Sequence, residues 1–393
     1  MQTQISNGNL WGVSVNPTDF GPFDERSCDD SNLAIWALAA AMTNGHRFED
    51  DDDISLLNRF ALGTLHISTK GRMWRNNDGW FKTENECEWF GVVCDNTTRQ
   101  VLEIRLVQSL LDGTIPPEMG LLRHLETLDL SSNRLKQPIP STFPDLSKLT
   151  SLSLSRNAFS GPMPTEILLP SLEHLVFEAA SFWGAIPTEI GLLTNLTLLD
   201  ASSNHFQGSI PSEFGKCTNL EVIGLWQNGL TGGLPATLGA LSRLEWVDLS
   251  RNSLEIGELP SYLWTFTNLE NLYLGQCDIV GPLPTEVGLL KNLTVLYLNT
   301  NKLNSTIPSE LGLLTNMDQL ILDTNFMEGT IPSTLGNLLQ LRSLLLILNR
   351  LTGNLPTELG QLTHLGTYIY GCVCVYVCMY RRFVLFVLSL VLG

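Results

Sequence analysis

Basic residues are scarce in this chain. Lys and Arg number 23 against 40 Asp and Glu, a net charge of −17 over 393 residues. A surface of that sign repels phosphate backbones, so nucleic acid is excluded as a partner. Cysteine is thin as well: eight scattered residues cannot make a dense disulfide framework. Catalytic punctuation is missing. No G-x-S-x-G, H-E-x-x-H, phosphate-cradling glycine loop or kinase signature set occurs. The six histidines (His46, His66, His124, His174, His205, His364) are scattered, and His124 and His364 share one position ahead of a strand, as repeat elements do. We therefore expect no enzyme, no metal site and no cofactor. Long apolar runs are also lacking. Leu33–Met42 is ten residues, and the terminal runs Tyr368–Tyr380 and Phe383–Leu392 are 13 and ten, parted by Arg381 and Arg382. None reaches the roughly 20 residues of a spanning helix.

What the chain does have is a period. A leading apolar residue recurs at Val101, Leu125, Leu149, Leu172, Leu196, Leu220, Leu244, Leu269, Leu293, Met317 and Leu341, mostly 24 residues apart. Each begins the skeleton L-x-x-L-x-L-x-x-N-x-L, as in Leu125–Leu135. Alternation at period two turns Leu125, Leu128 and Leu130 inward and their neighbours outward on a short strand. One such strand cannot bury its apolar side alone, so coils must stack into a parallel sheet over one core. An asparagine fills the turn at Asn133, Asn157, Asn204, Asn228, Asn252, Asn301, Asn325 and Asn349. Its amide can satisfy backbone groups as the chain leaves the sheet. Cys277 replaces it in one coil, and Ser109 and Ala180 in two others, where weaker turns are expected. Gly-x-Ile-Pro follows at Gly113–Pro116, Gly184–Pro187, Gly208–Pro211 and Gly329–Pro332, with glycine for a positive-φ bend and proline to punctuate it.

This L-x-G-x-I-P-x-x-L/I-G repeat resembles the plant-type leucine-rich repeat of receptor-like proteins and receptor kinases, over roughly residues 101–365. The segment Cys87-Glu-Trp89-Phe-Gly91-Val-Val-Cys94 resembles the cysteine cap C-x-W-x-G-V-x-C that precedes such repeats. With RFALGTLHISTKG before it and the pair Trp74 and Trp80, the fuller cap is similar to those of stramenopile (diatom-type) leucine-rich-repeat proteins. The resemblance implies an α/β solenoid, a right-handed superhelix with a parallel sheet on its concave face and short helical or 3-10 segments on its convex face. It also implies a Cys87–Cys94 disulfide and thus an oxidising compartment. A free thiol pair and a metal site are the alternatives, the latter poor in ligands.

Taken in order, residues 1–52 read as a poorly ordered acidic arm. Residues 53–100 read as a helical cap, with Asp53 as N-cap and Ile54, Leu57, Ala61 and Leu65 at helical spacing. Residues 101–364 make eleven repeats. Cys217 belongs in the core, and Cys28 has no evident partner. Residues 365–393 start a twelfth strand and then become an aberrant apolar tail: a membrane segment, a cleaved anchor signal or a translated non-coding end. Sequons stand at Asn96, Asn195, Asn292 and Asn304.

Function should then lie on the concave sheet. Trp226, Trp246, Tyr273 and Tyr297 fall at outward positions of neighbouring strands about 5 Å apart. Gln227, Asp248, Arg251, Asn271 and Asn299 form a polar rim around them, with Gln276 and Thr300. Such a patch suits a peptide, glycan or protein ligand, though cross-strand aromatic pairs also serve merely to stabilise sheets. Asp129, Asp200, Asp248 and Asp323 are assigned one shared strand position. The expected roles are a receptor-like ectodomain at a membrane or extracellular-facing surface, a secreted inhibitor or binder, or an intracellular scaffold.

Overall fold

The computed structural model describes residues 51–83, 85–136 and 138–366. The arm and the apolar tail, with Cys28, Leu33–Met42, Arg381 and Arg382, lie outside these residues, apart from 51, 52, 365 and 366. Among the described residues, no helix is long and apolar enough to cross a membrane.

The sheet has twelve short strands, β1 Val92–Cys94 from the cysteine segment and eleven from the L-x-x-L-x-L stretches: β2 Val101–Arg105, β3 Thr127–Asp129, β4 Ser151–Ser153, β5 His174–Val176, β6 Leu198–Asp200, β7 Val222–Gly224, β8 Trp246–Asp248, β9 Asn271–Tyr273, β10 Val295–Tyr297, β11 Gln319–Ile321 and β12 Ser343–Leu345. The chain divides into two compact units, one ending at Leu152 and the other beginning at Ser153. Both use the same coil.

In the first unit, β1 runs antiparallel to β2, with Val92 opposite Ile104. β2 then pairs parallel with β3, with Ile104 opposite Leu128. A helix and the loop after it pack beside these strands. Helix α1, Asp51–Ser68, buries Ala61, Leu62 and Leu65. It already runs through Asp53, so that residue lies in the first turn and is not the cap. Gly113 explains how closely α1 docks: a Cβ there would penetrate the Ser68 carbonyl oxygen. Behind the helix, His66 contacts Trp74 at 5.0 Å and stacks on Trp80 at 5.7 Å, and the two indoles meet edge-on at 4.8 Å. The indole N–H groups of Trp74 and Trp80 donate to the Thr69 and Phe90 carbonyls, which satisfies them inside an apolar cluster. Cys87 and Cys94 are joined as a disulfide, pinning the loop that carries Trp89.

In the second unit, β5 to β12 pair parallel in chain order. One inward row reads Leu175, Leu199, Ile223, Val247, Leu272, Leu296, Leu320, Leu344, and all eight are buried. The coil from Leu293 shows the stabilisation. Leu293, Leu296, Leu298, Leu303, Leu311 and Leu314 are each fully enclosed, at about 1.5–3 kcal/mol apiece. Opposite the strands, each proline opens a short 3-10 turn: Thr188–Leu192 after Pro187, Ser212–Lys216 after Pro211, Ser309–Leu313 after Pro308. Gly184 and Gly208 take φ of +86° and +78°, as the bend requires. The solenoid with a parallel sheet and 3-10 backing is the fold the repeat implies.

The asparagine ladder joins coils. Asn204 Oδ1 accepts from the Ala180 and Phe182 N–H groups (3.2 and 3.0 Å), and its Nδ2 donates to the Phe177, Ala201 and Ser202 carbonyls. Asn133 does the same for Ser109, Leu111 and Leu106. Hence Ser109 and Ala180 do not leave their turns open, because the asparagine one coil on serves both amides. Cys277 donates its thiol to the Leu249 and Gly275 carbonyls at 3.2 and 3.6 Å, a weaker substitute for the amide. Cys217 is buried, with its thiol on the Ile190 carbonyl at 3.3 Å.

Candidate functional site

The outward positions of β6 to β10 form two rows set by register. The first is Leu198, Val222, Trp246, Asn271, Val295; the second is Asp200, Gly224, Asp248, Tyr273, Tyr297. The aromatic residues therefore do not stand in one line. Trp246 packs diagonally on Tyr273 with centroids 5.7 Å apart, and Tyr273 meets Tyr297 edge-on at 4.8 Å. Together they make a continuous, half-buried ridge across β8, β9 and β10. Trp226 falls past the end of β7, so it lies outside that ridge. Its ring is covered instead by the Arg251 guanidinium, 5.5 Å from the centroid. The expectation of four side-by-side aromatics is thus corrected to three in contact, with Trp226 and Arg251 as a separate pair.

Electrostatics distinguishes the members. Burial pushes the Asp248 carboxyl above its ordinary range, against the hydrogen bonds it accepts from the Ser250 hydroxyl and N–H. Burial likewise raises the Tyr273 and Tyr297 phenols, each with help from a neighbouring acid or phenol. Tyr297 donates its hydroxyl to Gln319 Oε1, which fixes the ring at the end of the ridge. Gln227 and Arg251 occupy the left-handed position before the ladder asparagine, both at φ +55°. Their main-chain N–H groups donate to Ser250 and Gly275, one coil on. Asn271 shares the row of Trp246. Asn299 sets its Oδ1 over Gly275, where a Cβ would approach it to 2.6 Å.

Asp129, Asp200 and Asp248 do share one position, each accepting from the serine N–H two residues on (3.0, 3.0 and 2.9 Å). Asp323 does not. Ile321 holds that place beside Tyr297, and Asp323 lies two residues later. The four sequon asparagines, Asn96, Asn195, Asn292 and Asn304, are all exposed.

Two features escaped the sequence reading. Gln319 anchors the ridge, and the 24-residue register could have shown it, since it continues the row of Trp246 and Val295. A second, exposed asparagine ladder also exists. Asn195, Asn219, Asn268, Asn292 and Asn316 donate to Pro170, Thr194, Ser242, Thr267 and Lys291 carbonyls. The Asn-Leu/Met pair that recurs at these five coil starts was its signal.

Models of the leucine-rich repeat match residues 113–159, 123–179, 195–217 and 292–314. Curated relatives include the Arabidopsis thaliana "LRR receptor-like serine/threonine-protein kinase FEI 2", 34% identical over 113 residues, 29% of this chain and 18% of that protein. Another is "Receptor-like protein 6" of the same plant, 31% identical over 128 residues, 32% of this chain and 11% of that one. The chain thus spans less than a fifth of these relatives. Among solved structures, the Arabidopsis receptor kinase HAESA ectodomain with an IDA peptide hormone matches at TM-score 0.72 and 27% identity, over 79% of this chain and 51% of that one. The plant peptide hormone receptor RGFR1 with RGF2 matches at 0.64 and 33%, over 66% and 42%. A plant ice-binding protein matches at 0.64 and 27%, over 76% and 96%. One coil architecture therefore carries different functions, and the assignment must come from the surface. The chain is a leucine-rich-repeat solenoid similar to plant receptor-like proteins and receptor-like kinases.

Proposed function

We propose that this solenoid is a non-enzymatic recognition module of receptor-like type, holding a peptide or protein ligand on the open sheet face between β7 and β10. The observation that carries this is the Trp246–Tyr273–Tyr297 ridge, three aromatic side chains in contact on a face with no covering element among the described residues. Half-buried aromatics offer large contact area at low entropic cost. The HAESA and RGFR1 structures are of receptors with peptide hormones, which favours a peptide over a glycan. The Cys87–Cys94 bridge and the exposed sequons support an extracellular-facing compartment over a cytosolic scaffold. We read residues 53–100 as its cap, of stramenopile type on the Cys87–Cys94 and Trp74/Trp80 residues, residues 101–364 as eleven repeats, and the flanking stretches as arm and tail.

The test is to pan a random dodecapeptide phage library on the purified chain and measure captured peptides by fluorescence anisotropy. Trp246→Ala with Tyr273→Ala should weaken them at least tenfold while leaving the melting temperature of the domain near that of the parent. Unchanged affinity would remove the ridge, and this reading, from consideration.

A further inference from the structure

Beside the ridge, the borders of the strands carry charge of one sign. Glu221, Glu245 and Glu270 begin successive coils, and their backbones bond directly: Glu245 N–H to the Glu221 carbonyl and Glu270 N–H to the Glu245 carbonyl, both 2.8 Å. Their side chains therefore stand about 5 Å apart in one row. Like charges so placed repel and cost stability. None of the three has an ion-pair partner among the described residues. This contrasts with the same row further along, where Asp318 is matched by Arg342 at 3.4 Å. The uncompensated carboxylates flank Trp246, whose N–H also bonds the Glu221 carbonyl.

A second line of acid crosses the face itself. Asp200 and Asp248 sit either side of Gly224 in the second row. The missing side chain matters: a Cβ on Gly224 would lie 2.7 Å from Asp200 Oδ1. The Asp200 carboxylate, with the Ser202 hydroxyl, thus already fills the space over Gly224, and Asp200 further raises the Asp248 carboxyl that burial has already lifted. Arg251 lies over the Trp226 ring, and its charge offsets part of the rise at Asp248.

We infer that the ridge takes a cationic peptide segment, Lys or Arg side chains meeting the Glu221–Glu245–Glu270 border and the Asp200 and Asp248 carboxylates while its apolar part rests on Trp246 and Tyr273. This rests on the peptide-binding reading and adds the chemistry of the ligand. Charge complementarity selects the occupant: an acidic or neutral segment would leave the border's repulsion unrelieved, whereas ammonium or guanidinium groups neutralise it and stack on indole faces.

The phage selection tests it. Captured dodecapeptides should be enriched in Lys and Arg. Their affinity should fall about tenfold in the Glu221→Gln, Glu245→Gln, Glu270→Gln variant, as three partly exposed ion pairs would give. It should also fall on raising NaCl from about 0.05 to about 0.5 M, and a synthetic Gln-for-Lys copy of a captured peptide should bind the parent weakly. If the selection instead yields neutral or acidic peptides that depend on Trp246 and Tyr273 but ignore the three glutamates and salt, the cationic inference fails and the binding surface stands. If no selected peptide depends on Trp246 and Tyr273, both fail.

Discussion

Replacing Asn204 with alanine probes the joint between coils. The side chain is 4% exposed and makes five hydrogen bonds to backbone groups of its own coil and the preceding one. Not all are lost equally. The Ala201 carbonyl keeps Asn228 Nδ2 at 3.1 Å, and the Ser202 carbonyl keeps the Ala179 N–H at 2.9 Å. The Ala180 N–H, the Phe182 N–H and the Phe177 carbonyl lose the partner that Asn204 gave them. A buried polar group stripped of its partner costs about 1–3 kcal/mol. Water entering the vacated space recovers part of this, so we expect a loss of about 3–5 kcal/mol. Urea unfolding followed by far-ultraviolet circular dichroism would read it as a lower midpoint. Asn195→Ala is the control: its single bond to the Pro170 carbonyl lies on the exposed ladder and should cost less than about 1 kcal/mol. A loss below about 1 kcal/mol for Asn204→Ala would refute the claim that this ladder, rather than leucine packing alone, holds adjacent coils.

Three further outcomes follow from the same structure. Burial lowers the His66 pKa from 6.5 to about 4, so below pH 6.5 the unfolded chain takes up a proton that the folded cap refuses. Stability should be full above pH 6.5 and fall by up to about 3 kcal/mol as pH drops towards 4, and a His66→Phe variant should flatten that slope in pH-dependent thermal melts. Burial raises the Cys217 and Cys277 thiols to about 11 and 12, so iodoacetamide at pH 8 should leave both unlabelled in the native protein and modify both in urea. Opening the Cys87–Cys94 bridge, which spans a separation of seven residues, should cost about 2 kcal/mol by loop entropy, seen as a lower melting temperature after reduction.

Much of this was legible because the period repeats so often. The spacing from Val101 to Leu341 fixed strand, turn and core positions, and the Asn133-to-Asn349 series pointed to the turn amides. Departures were legible only in part. Ser109 and Ala180 looked like weak turns because the amide that serves each one comes from the next coil, a relation the single-coil pattern does not carry. Trp226 was placed with Trp246 because both face outward, yet alternation says nothing of where a strand stops, and Trp226 lies beyond that end. Asp323 was aligned by residue type rather than by register, and two residues shift it to another row. The cap was visible as a cysteine and tryptophan motif. The insertion of His66 among Trp74, Trp80 and Phe81 was not, because it depends on how α1 crosses the loop. The Glu221–Glu245–Glu270 row was spelled in the sequence but gains meaning only once the strands set its spacing.

The central claim is that the open face from β7 to β10 holds the ligand. A captured dodecapeptide carrying one benzoylphenylalanine, irradiated in complex with the parent chain and mapped by mass spectrometry, tests this most directly. The account predicts cross-links to residues of the two outward rows, at or beside Trp246, Tyr273 and Tyr297. Cross-links confined to the 3-10 side, at Thr188–Leu192, Thr285–Leu289 or Ser309–Leu313, would contradict it.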